Sequence, residues 1–184
     1  MTNYYCLVTG LPELSLEDGK LSYTVANFKT EIYPELSKAD KKLVDLFYLK
    51  FDNRNLLTLL KDKEASVDTS LGNYSADELL SVIASIKEET APDKKFPAYF
   101  YEFAELYLNT PDEERWGLED KLHGFYYNHA MKSGNPFVSA WFELNLDVNN
   151  ILAAMTARKY KMEVAKVPVG ENLVAEALRS SNAR

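Results

Sequence analysis

Few side chains in this sequence have the type and spacing to do chemistry. His123 and His129 are six residues apart. On a helix that spacing leaves them about 120° from alignment, so they cannot chelate one metal together. Asp120 and Glu119 do share a face with His123. Carboxylate-bridged di-iron bundles need two Glu-x-x-His units and two further Glu, and only one distantly similar unit, Asp120-x-x-His123, is here. The sequence holds no Gly-rich phosphate loop, no G-x-S-x-G and no Cys/His nucleophile pair. Cys6, between Tyr5 and Leu7, reads as a small buried hydrophobe. No catalytic, cofactor-binding or metal-binding residue is predicted, and the expectation is a protein that is not an enzyme.

A different constellation stands out because it occurs twice. Phe47 to Leu57 matches Phe142 to Leu152 at an offset of 95 residues, with the shared pattern F-x-L-x-[FL]-D-x-x-N-[LI]-L. The polar members are Asp52 and Asn55 in the first copy and Asp147 and Asn150 in the second. Residues three apart lie on one side of a helix. Leu49 and Leu56 flank Asp52, and Leu144 and Ile151 flank Asp147. Polar groups in such surroundings are at least partly buried and need partners. Loop amides, the ends of neighbouring helices, or an Arg such as Arg54 or Arg158 are the economical ones. The motif therefore reads first as a lock between a helix and a turn, and second as a partner contact.

The elements that must carry these residues are helical. Ser37 with Asp40 marks a helix start, and nothing breaks the run from Lys38 to about Lys63. Ser75-Ala76-Asp77-Glu78 is a capping box opening a helix to about Glu89. Pro97 begins another to about Leu108, with Phe96, Tyr99, Phe100, Phe103 and Tyr107 at core spacing and Tyr101 off the stripe. Thr110-Pro111 predicts a cap and helix to about Met131. Asn135-Pro136 predicts one to about Lys161, and Glu171 to Arg179 a last one. Ala153, Ala154 and Ala157 suit a close helix crossing. Residues 1–22 are ambiguous between helix and extended chain.

Composition agrees. Leu occurs 25 times against 11 Val and 4 Ile, which favours helix over strand. The 28 acidic against 21 basic residues, a net charge of −7, argue against a broad nucleic-acid surface. One cysteine excludes an intrachain disulfide framework. No apolar run approaches a membrane span, so a soluble, cytoplasmic chain is expected. The expected architecture is all-α, two consecutive related bundles: residues 1–90, an N-terminal segment and first bundle, and residues 96–184, the second.

Asp-x-x-Asn-Leu-x-x-Leu-Leu-Lys from Asp52, and Asp-x-x-Asn-Ile-x-x-Ala-x-x-Ala-Arg-Lys from Asp147, resemble the socket-like central-stalk protein of V-type ATPases, lettered C in bacteria and d in eukaryotes. The stretches from Tyr4 to Pro12, Leu43 to Leu57 and Asn135 to Lys159 are similar, more closely, to an uncharacterised family encoded in bacterial V-type ATPase operons. The resemblance implies a non-enzymatic socket between the central stalk and the membrane rotor ring in ATP-driven proton or sodium transport. It implies association with the membrane only through that complex. The −7 charge would then suit a basic partner. The stalk socket carries three bundles, whereas this sequence shows two copies of the motif. A general helical interaction module, unconnected with the ATPase, is the second expectation.

Overall fold

A computed structural model describes residues 4–13, 15, 19 and 23–180. Among the described residues the chain forms α-helices and short helical turns and no strand. The helices are α1 (Tyr5–Thr9), α2 (Val25–Asn27), α3 (Lys38–Lys61), α4 (Ala76–Lys87), α5 (Ala98–Asn109), α6 (Leu118–Met131), α7 (Pro136–Lys159) and α8 (Leu173–Ser180). A π-helical turn at Phe28–Ile32 and a 3-10 turn at Tyr33–Glu35 carry α2 towards α3. The all-α expectation holds for these residues. Part of the ambiguous segment 1–22, and the last four residues, lie outside them.

Local chemistry sets most boundaries. The Ser37 hydroxyl accepts from the Asp40 amide at 3.2 Å and caps α3. Tyr4 reinforces this end: its hydroxyl donates to Asp40 Oδ2 at 2.6 Å and accepts from the Ser37 amide at 2.8 Å. The Ser75–Glu78 capping box is present at the start of α4, with Lys95 paired to Glu78. Asn135 caps α7 through the Val138 amide. The Thr110 cap does not form. Its hydroxyl donates to the Leu106 carbonyl at 2.7 Å, and the Arg115 guanidinium donates to the Tyr107 and Thr110 carbonyls. Those groups are spent on the end of α5, and Asp112–Gly117 becomes a 3-10 turn leading into α6.

The core is built around α5, whose Tyr99, Phe100, Tyr101, Phe103, Ala104 and Tyr107 are all buried. Tyr101 departs from the expected stripe because its hydroxyl has a buried task, accepting from the Asp93 amide at 3.0 Å. Around α5 pack α3, α4 and α6, and α6 in turn packs on α7, which carries α8. Ala154 and Ala157 of α7 and Ala175 of α8 are buried where small side chains let helices approach. One hydrophobic cluster runs from Leu46 to Phe142. It crosses residues 90–96: the rings of Phe47 and Phe142 lie 5.0 Å apart, and Tyr126 donates to the Leu46 carbonyl at 3.0 Å. The halves on either side of that boundary share their apolar interior. Cys6 corrects one expectation. It is exposed, because α1 buries none of its residues.

Candidate functional site

The repeated Asp/Asn pairs sit near the middle of the two longest helices, α3 and α7, and both reach for chain that returns after the helix ends. Asp52 is fully buried. Its carboxylate accepts from the Asn73 amide at 2.9 and 3.0 Å and from the Tyr74 amide at 3.1 Å. Asn55 donates to the Asp68 carbonyl at 2.9 Å. In the second copy Asn150 forms a two-way pair with Val169, donating to its carbonyl and accepting from its amide, both at 2.9 Å. Asp147 accepts from the Asn172 side chain at 2.7 Å, and Asn172 caps α8 through the Ala175 amide. Each motif thus clamps the loop that launches the next helix.

The two loops share further details. Each contains a glycine, Gly72 or Gly170. Lys29 donates to the carbonyls of Ser70 and Gly72 at 3.3 and 2.6 Å. Arg179 donates to those of Pro168 and Gly170 at 3.0 and 2.7 Å. In both cases a cation from outside the repeat ties down the glycine carbonyl and the one two residues before it. Glycine is required for different reasons. A Cβ on Gly72 would overlap Asp52 Oδ1, whereas Gly170 adopts φ of 71° and presses on Leu146. Of the partners the sequence offered, loop amides are used at Asp52, and Arg54 and Arg158 are not. Both are exposed, and neither reaches the motif carboxylates, since each sits on the outer side of its helix.

Burial separates the two copies. Burial pushes the Asp52 carboxyl up to about 6, against the pull of the Asn73 and Tyr74 amides and of Lys29. Burial also lowers the Lys29 ammonium and raises Asp45, which accepts from Tyr33 at 2.6 Å in the same pocket. Asp147 is only half-buried. Next to the first clamp, Asn53 accepts from Tyr99 at 2.7 Å while its Nδ2 has no partner. Asn53 was not singled out from sequence, and its signal was available: it falls between Leu49 and Leu56 on the core side of α3.

The remaining polar candidates scatter. His123 is exposed at the rim of a cleft of about 530 Å³ lined also by Lys50, Asp120, Trp141 and Asn149. His129 lies about 120° round α6 from His123, its ring 5.2 Å from Tyr99, with burial lowering its pKa. The larger unassigned feature is apolar. Phe137, Trp141, Leu144, Val148, Ile151, Leu152 and Met155 all stand exposed along α7. Their spacing alternates largely between four and three residues, a pattern legible in the sequence once α7 is drawn as a helix. Chemically the described site is a pair of structural clamps beside an uncovered apolar helix face.

The chain belongs to the family described as "Protein of unknown function (DUF2764)", whose model matches residues 1–184. No curated protein and no solved structure matches the chain.

Proposed function

We propose that this protein is a non-enzymatic helical component of, or accessory to, a V-type ATPase, similar in role to the central-stalk socket. In that role it would link or organise the central stalk and the membrane rotor ring during ATP-driven proton or sodium transport. Membrane association would come through the complex, since no helix among the described residues is long and apolar enough to cross a membrane. The reading is carried by the doubled clamp. The residues that resemble the stalk socket, Asp52, Asn55, Asp147 and Asn150, spend their polar atoms on backbone and cap groups of the returning loop. That use is structural, as expected of a stack of helical units and not of a reaction centre.

Co-purification tests it. Affinity-tagged protein expressed at its native level should bring down stalk proteins of the ATPase from solubilised membranes. Recovery of the protein solely in the free fraction, with intact ATPase lacking it, would overturn the assignment. One observation favours the second reading, a helical interaction module unconnected with the ATPase. The exposed side chains of α7 need no rotor or stalk to be covered; any matching helix suffices. Enrichment of an unrelated complex in the same purification would select that reading.

A further inference from the structure

We propose that the outer face of α7 is the surface on which two copies of this chain pair, antiparallel, as a two-helix seam. The pairing does not depend on ATPase membership and goes beyond it.

The geometry of α7 sets the case. At 3.6 residues per turn, Phe137, Trp141, Leu144, Val148, Ile151 and Met155 fall within about 40° of one direction. The core-facing residues Val138, Phe142, Leu146, Asn150 and Ala154 centre about 180° away. The helix therefore has two apolar faces, of which the protein covers one. The internal repeat shows that the uncovered face is abnormal. Leu144, Ile151 and Leu152 are 57%, 45% and 55% exposed, while their counterparts Leu49, Leu56 and Leu57 are 3%, 0% and 7% exposed. Around α3 the covering is supplied by α4, α5 and α6. Around α7 the equivalent positions meet water.

Spacing and area name the occupant. Alternating steps of four and three residues make the 3.5-residue period that pairs with another helix along its length. Between Pro136 and Ala157 the charged residues are Glu143 and Asp147, whereas Arg158, Lys159 and Lys161 follow at the far end. A parallel copy would set acid beside acid and base beside base. An antiparallel copy sets the basic ends of the two helices apart, at opposite ends of the seam, and opposes the two helix dipoles. Two-fold symmetry then makes every contact occur twice. In the centred register Phe137 of one copy lies opposite Met155 of the other, Trp141 opposite Ile151, and Leu144 opposite Val148. With Leu152 at the margin, seven side chains offering roughly 100 Å² each give roughly 700 Å² per copy, close to the ~800 Å² of a standard interface.

Sedimentation of the full chain tests this. The expected species is a dimer, twice 21.0 kDa. Leu144→Glu should weaken it by roughly 100-fold or more, with helical circular dichroism unchanged because residue 144 lies outside the core, and with melting lowered only by the lost, concentration-dependent contribution of pairing. Trp116→Ser, at an exposed residue outside α7, should leave it intact. Orientation is read in a Cys6→Ser background with a short bismaleimide. Phe137→Cys protein should link to Met155→Cys protein and not to itself. A monomer at every concentration, a dimer that survives Leu144→Glu, or self-linking of Phe137→Cys would each overturn the proposal. None of those results bears on co-purification with the stalk proteins, so the two readings fail separately.

Discussion

Asp52 should make this protein less stable as pH rises through the mildly acidic range, the reverse of the usual carboxylate. The ordinary carboxyl value is 3.8, and burial pushes the native group up to about 6. Between those values the native state holds a proton that the unfolded chain has released. The native state then binds more protons, so stability falls as pH rises from about 4 to about 6, and levels off above. A shift of about two units corresponds to about 3 kcal/mol at neutral pH, of which about 2 kcal/mol is lost between about pH 4.5 and 7. Asp52→Asn keeps the shape and removes the titration. Urea denaturation of both proteins at several pH values isolates the effect, because Asp45, whose carboxyl is also raised by burial, is present in both. The wild type should lose about 2 kcal/mol more than the variant across that interval. Parallel stability curves, or a carboxyl carbon titration placing Asp52 at the ordinary value, would refute the reasoning.

Gly72→Ala should cost roughly 1–3 kcal/mol, because the new Cβ displaces the Asp52 carboxylate from the amides it holds; in an Asp52→Ala background the extra cost measured by denaturation should shrink. Tyr99→Phe should cost roughly 1–3 kcal/mol by leaving both polar ends of the buried Asn53 amide unpaired. Adding Asn53→Leu should recover most of that loss, and additive losses would contradict the assignment. Asn150→Leu should destabilise by roughly 2–4 kcal/mol, since it strands both the amide and the carbonyl of Val169, whereas Asp147→Ala should cost under about 1 kcal/mol at a half-buried site. Equal thermal shifts for the two would refute that ordering.

The parts of this fold that were legible in the sequence are those decided within a few residues. Ser37, Ser75 with Glu78, and Asn135 each cap the helix their spacing predicted, since a cap needs only the next three amides. The Asp/Asn clamps were legible in kind, since a polar pair among leucines must find donors and acceptors. Their cations were not. Lys29 precedes the first motif and Arg179 follows the second, and only the packing of other segments brings them to the loops. Thr110 failed as a cap because its hydroxyl had a nearer acceptor in the last turn of α5. Repeat identity also says nothing of burial: Leu49 and Leu144 occupy the same motif position with opposite surroundings, set by neighbours encoded elsewhere.

The clamps also bear on how the chain reaches its native state. Their hydrogen bonds close segments of 13 and 21 residues in the first copy, and of 19 and 25 in the second. The bond from Tyr126 to Leu46 spans 80. Short loops lose less entropy on closing, so each long helix can capture its own returning segment before the distant one forms. Contact order therefore predicts that the Phe47–Phe142 and Tyr126–Leu46 contacts form after the clamps have closed.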